Sequence, residues 1–126
     1  MAMRTSGDDL SCVGREDVLQ SRRAVEDLLV DGRADRAIVV GGSGQGEVIA
    51  CNKIVGIRAG LCPDVWSATI SRGNNDANVL VLGVKVVDPD LAEQIVAAWF
   101  GTDFKGGVHQ RRIDMIAAIE RGEPLT

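Results

Sequence analysis

A chain of 126 residues with 45% hydrophobic and 25% charged side chains has the size and composition of one soluble globular domain with a real core. Aromatic residues are scarce, so the core must come from Val, Ile, Leu and Ala, which favours a buried sheet between helices over a β-sandwich. A formal charge of -4 gives nucleic acid nothing basic to grip, and three cysteines (Cys12, Cys51, Cys62) with one histidine at no ligand spacing exclude structural zinc.

Residues 1–14 are polar and aperiodic and are expected to form a flexible lead-in. They lack the apolar stretch of a signal peptide, and no segment approaches the roughly 18 apolar residues of a membrane span, so a cytoplasmic protein that does not enter a membrane is expected. From Arg15 the pattern changes. Val18, Leu19, Val25, Leu28 and Leu29 recur with helical spacing up to Gly32, which predicts a helix over 16–31 with a glycine C-cap. The apolar run 37–40 predicts a buried strand that enters a glycine loop, Gly41-Gly-Ser-Gly-Gln-Gly46.

The alternation continues with a helix over 47–53, a strand over 57–62, a helix over 64–72 and a strand over 79–82. Two helices follow, 89–100 with Leu91, Ile95, Val96 and Trp99 on one face, and 109–121 with Ile113, Ile116 and Ala117 inside. Strands alternating with helices predict βαβ units, hence an α/β fold with a mostly parallel sheet and helices on both sides. A single domain over 1–126 is expected.

The loop leading from a strand into a helix lets backbone N–H groups converge where the helix dipole is positive, which attracts anions. Two familiar loops do not fit. The dinucleotide fingerprint needs a glycine where Glu47 stands, and the triphosphate loop needs a lysine there. A carboxylate beside converging amides suits a reaction in which Glu47 removes a carbon-bound proton and the amides stabilise the oxyanion. The alternative is that Glu47 only complements the helix dipole, and that Ser43 is only a turn or capping residue.

Three stretches, GGSGQGEVIACNKIVGIRAGLC, SRGNNDANVLVLG and GTDFKGGVHQRR, together resemble the sugar-phosphate isomerase family of ribose-5-phosphate isomerase B and galactose-6-phosphate isomerase. The resemblance runs over about 16–121. It implies a Rossmann-like three-layer sandwich, a homodimer or higher assembly with sites near the subunit interface, and aldose–ketose isomerisation without metal or cofactor. Many members carry a cysteine base where this chain has Gly41. A subgroup has the glutamate instead, and Glu47 inherits that role. By the same carry-over Gly42, Gly44 and Gly46 hold a cis-enediolate, Ser43 helps move a proton between O1 and O2, and Cys51 and Cys62 are packing residues.

Three departures accompany the resemblance. The family's opening strand, helix and strand, with an Asp-His-Ala-Gly type motif, have no counterpart here, so the strand at 37–40 is expected to show an apolar edge that self-association or a partner chain covers. Asn74 stands where a ring-opening histidine is common; Asn75 matches a residue that contacts sugar oxygens, and an Asx-rich turn is the alternative for Asp76 and Asn78. The phosphate clamp is reduced to Lys85, His109 and Arg112, with Val108 where an arginine is usual. His109, Arg111 and Arg112 crowd a helix start, either to hold an anion or as a basic turn paired with Asp103 or Asp114. The function expected is isomerisation of a pentose or hexose phosphate. The rivals are an accessory subunit of a mixed assembly and an isomerase or epimerase of an unphosphorylated or open-chain sugar.

Overall fold

The fold is built on a five-stranded sheet of order β2-β1-β3-β5-β4. The computed structural model describes residues 2–6, 9–13, 18–30, 32 and 34–125. Strands β1 (Ala2–Ser6), β2 (Asp9–Val13), β3 (Arg36–Gly41), β4 (Ala59–Leu61) and β5 (Val79–Gly83) alternate, from β3 onward, with helices α2 (Gln45–Cys51) and α3 (Val65–Gly73). Helices α4 (Pro89–Gly101) and α5 (Val108–Glu120) follow β5.

β3, β5 and β4 are parallel, with Ala37 opposite Val79 and Gly41 opposite Gly83. Their side chains alternate between two cores, as a strand's two-residue period requires. Ala37, Val39, Val79 and Val81 pack with Ala24, Val25 and Cys51. Ile38, Leu80 and Leu82 pack with Ala68, Ile95 and Trp99. Helices α1 (Val18–Val25) and α2 therefore cover one face and α3 and α4 the other, the three-layer α/β arrangement expected.

Caps fix where the helices start. Asp64 accepts the Ser67 N–H at 2.7 Å to open α3, and Asp88 accepts the Leu91 N–H at 2.8 Å to open α4, with Pro89 just inside. The sheet's outer strand β4 is met at Ala59 by the Asn52 side chain, whose Oδ1 accepts the Ala59 N–H at 2.8 Å and whose Nδ2 donates to the Ala59 carbonyl at 3.0 Å.

Several expectations change. The segment read as a flexible lead-in holds two antiparallel strands, and β1 pairs antiparallel with β3 from Ala2 opposite Val39 to Thr5 opposite Arg36. The edge expected to stand open at β3 is thus occupied by the chain's own β1, which removes that reason for self-association. The single helix over 16–31 is α1 followed by a π-helical turn, Glu26–Val30, and Gly32 at φ 74 ends it as a glycine cap would. In α5, Ile113 is buried, but Ile116 is 42% exposed, because the helix lies on the molecule by a narrow stripe only.

Candidate active site

Parallel strands β3 and β5 end in register on glycines 41 and 83, and the glycine loop crosses between their carboxyl ends. The Val84 and Lys85 N–H groups donate to the Gly41 and Gly42 carbonyls, both at 2.9 Å, stitching the turn after β5 to the loop after β3. A Cβ on Gly83 would meet the Ser43 carbonyl carbon at 2.7 Å and the Gly42 oxygen at 3.2 Å, so the loop backbone lies directly on that residue. Gly44 caps α2 at φ 80, with Leu61 Cδ1 only 2.6 Å from where a Cβ would stand.

Glu47, in the first turn of α2, is just 7% exposed. Its carboxylate is folded back over Gly41: a Cβ on that glycine would be 2.7 Å from Oε2 and closer still to Cδ and Oε1. The carboxylate thus takes the place that a side chain at position 41 would fill. Cys51, one turn along α2, is fully buried, and burial, then the Glu47 charge, pushes its thiol up to about 11. It stays a protonated thiol near neutral pH. Cys62, buried on the opposite face, is likewise pushed up to about 11 by burial, and both are packing residues.

Ser43 is exposed, and its Oγ accepts the Gln45 N–H at 3.2 Å, the turn role that the sequence allowed; the hydroxyl proton remains available to donate. The Lys85 stem lies on the loop, its Cε 3.6 Å from a Cβ position on Gly42. Gly42, Ser43, Gly44, Gly46, Glu47 and Lys85 therefore gather at one mouth. The hollow beside it, lined by Ser43, Gln45, Leu61, Cys62, Gly83 and Val86 among others, holds about 120 Å³. That is below the roughly 300 Å³ at which pockets that enclose small molecules begin, and of the residues at the mouth only Ser43 lines it.

The other predicted site residues are at the far end of the sheet. Asn74 and Asn75 follow α3 and precede β5, so the rise of β5, roughly 13 Å, separates them from the loop. The Asn74 Oδ1 accepts from Lys105 Nζ at 3.1 Å, and the Lys105 N–H donates to the Gly73 carbonyl at 2.9 Å, which brings the approach to α5 to the same end. His109 and Arg112 stand in the first turns of α5, beyond Gly106 and Gly107 with their positive φ. Among the described residues no ion pair joins Arg111 or Arg112 to Asp103 or Asp114; Asp114 accepts from Gln110 instead, at 2.8 Å.

The family motifs assign these ten residues to one site. One chain divides them: loops after parallel strands and loops before them emerge at opposite ends of the sheet, which sets Asn74 and Asn75 apart, and α4 carries the chain back to that end before α5 brings His109 and Arg112. The far-end turn is held by Asp76 at φ 45, which pairs with Arg58 at 3.4 Å and with the buried Arg72 at 3.1 Å. Asn78 accepts the Arg58 N–H at 2.8 Å and donates to the Gly56 carbonyl at 2.9 Å, so Asp76 and Asn78 shape the turn. A larger hollow of about 360 Å³ opens there, between β4 and α5, lined by Arg58, Asn75, Ile116 and Glu120 among others, and is remote from Glu47. Among the described residues no group of three or more His, Cys, Asp or Glu is placed to hold a metal, and no helix is long and apolar enough to cross a membrane.

An open α/β sheet with a glycine loop and a buried carboxylate at the carboxyl ends of adjacent parallel strands places the molecule among doubly wound proteins that bind small ligands at those ends. Within that class the chain belongs to the Ribose/Galactose Isomerase family, whose model matches residues 11–116. It is 48% identical to ribose-5-phosphate isomerase B of Escherichia coli over 90 residues, 71% of this chain and 60% of that protein. It is 40% identical over 93 residues to D-erythrulose-4-phosphate isomerase of Pectobacterium atrosepticum, covering 74% of this chain and 61% of that one. The chain thus spans about 60% of the length of these relatives. Clostridium thermocellum ribose-5-phosphate isomerase B superposes with a TM-score of 0.82 at 42% identity, over 85% of this chain and 72% of that one.

Proposed function

We propose that the protein interconverts an aldose and a ketose phosphate, with Glu47 as the base that moves a proton between C2 and C1. The observation that carries this reading is the Glu47 carboxylate, buried against Gly41 at the joined carboxyl ends of β3 and β5. In the open-chain aldose, Glu47 takes the C2 proton and the electron pair forms the C1–C2 double bond of a cis-enediolate. Returning the proton to C1 gives the ketose. The charge that develops on O1 and O2 lies beside the loop from Gly42 to Gly46, where backbone dipoles supply stabilisation. Ser43 carries the hydroxyl proton between those oxygens. Lys85, held on the loop, meets the substrate's phosphate as a point charge rather than as a bidentate fork.

The small hollow and the distant Asn74, Asn75, His109 and Arg112 support a site completed by a second copy or a homologous partner, whose far end would supply the sugar and phosphate contacts. An open-chain or unphosphorylated sugar is the second reading. It is favoured by Asn74, an amide already bonded to Lys105 where a proton-transferring group would open the ring, and by the uncharged Val108. The test is proton exchange in deuterated buffer with ribose 5-phosphate, erythrulose 4-phosphate and free ribose. The parent protein is expected to incorporate deuterium at the carbon next to the carbonyl, and Glu47→Gln to lose this by about a hundredfold or more while keeping its circular dichroism spectrum. Undiminished exchange in Glu47→Gln would remove Glu47 as the base.

A further inference from the structure

Most glycines of the loops earn their place by conformation, whereas Gly41 does not. Gly32, Gly44, Gly56, Gly106, Gly107 and Gly122 have positive φ, but Gly41 is absent from that group and forms the last residue of β3, paired in register with Gly83. A strand end of that kind accepts any residue, and glycine is among the poorest choices for it. Glycine inside a strand marks a close approach by something else. Here the three atoms nearest to a Cβ at position 41 are Cδ, Oε1 and Oε2 of Glu47, and the approach to Oε2 would be 2.7 Å. Real Cβ atoms do not tolerate such a distance, so one of the two groups must move.

The backbone at Gly41 is tied by the β3–β5 ladder and by its carbonyl's bond from the Val84 N–H. The carboxyl group is the far end of a flexible side chain. The carboxyl is therefore the group that yields. We infer that Gly41 is a positioning residue for the active carboxylate: its missing side chain is the seat of the Glu47 carboxyl, and residues 41 and 47 share one volume that only one of them can fill. The inference rests on the proposed role of Glu47 for its catalytic consequence, but the shared volume stands on geometry alone.

The two parts separate in one experiment. Thermal melting of Gly41→Ala is measured in the parent and in a Glu47→Ala background. With the carboxyl removed the three atoms nearest to the new methyl are gone, so Gly41→Ala is expected to lower Tm markedly less there than in the parent; equal shifts in both would overturn the shared volume. Turnover is measured for Gly41→Ala, Glu47→Asp and the double variant. Gly41→Ala is expected to lower kcat by on the order of a hundredfold, with KM within a few-fold, because the base is displaced while the loop and Lys85 stay. The shorter aspartate draws the carboxylate back from position 41, so the same glycine substitution should cost much less in the Glu47→Asp background. A kcat loss of the same factor in both backgrounds, or no loss in the parent, would overturn Gly41 as a positioning residue. If instead Glu47→Gln keeps full proton exchange while the melting cycle behaves as expected, the base assignment fails and the seat at Gly41 remains.

Discussion

Substituting Gly44 and Gly56 by alanine separates backbone strain from the pressure of the loop on the sheet. Both glycines are left-handed, at φ 80 and φ 85, so both variants meet the same steric penalty, about 1–2 kcal/mol. Both also gain the same small benefit from a less flexible unfolded chain, which cancels in the comparison. They differ in surroundings. A Cβ on Gly56 has nothing within 4 Å, whereas one on Gly44 would stand 2.6 Å from Leu61 Cδ1 and 3.1 Å from Val81 Cγ1. Leu61 can turn towards the hollow it lines, but Val81 is fully buried in β5 and cannot, so overpacking adds about 1–3 kcal/mol at Gly44. At roughly 3–5 °C per kcal/mol for a domain of this size, Gly56→Ala should lower Tm by about 5 °C and Gly44→Ala by roughly 10–15 °C. Differential scanning calorimetry of the two variants and the parent at one protein concentration is the assay. Equal losses would show that the loop does not rest on β4 and β5, and the placement of Glu47 would lose its support.

Other outcomes follow from the same geometry. Cys51 and Cys62 both have folded pKa values raised from 9.0 to about 11, so their contribution to stability is whole below pH 9 and is lost as pH rises towards 11. Urea melts should weaken over that window, and a variant with both cysteines changed to alanine should show a flatter dependence; an unchanged slope would show that the thiols are not buried as described. Glu47→Gln and Arg112→Ala, each inactive or impaired alone, should regain part of the parent turnover when co-refolded, because a mixed pair can assemble one site with an intact loop and an intact far end. No recovery, with mixed assemblies demonstrated by native mass spectrometry, would place both groups outside a shared site.

The alternation of β3 and β5 was legible in the sequence because every residue of 37–40 and 79–82 is apolar, as strands buried on both faces must be. The placement of Glu47 beside the loop was legible too, as the one carboxylate the glycine loop carries. Its seat was not, since the contact with Gly41 depends on how a helix folds back on the preceding strand. The hairpin of β1 and β2 was missed because its strands are short and half polar; Gly7-Asp8 between two five-residue runs was the available turn signal. The separation of Asn74 and Asn75 from the loop was available in principle, since residues that precede a parallel strand cannot share an end with those that follow one; that of His109 and Arg112 was not, because it depends on α4 running back across the sheet before α5 begins. Motif order along the chain hid this, because a family motif records which residues act together without saying that one chain brings them together.

The Asn52 amide works on β4 as a single residue of an absent neighbouring strand would, giving and taking one hydrogen bond at Ala59. An outer strand already answered at that point has no continuous ladder to offer another chain along its own edge. Growth of the sheet by a further strand, the route that ends in fibres, is thereby stopped at β4 and left to β2 at the opposite edge.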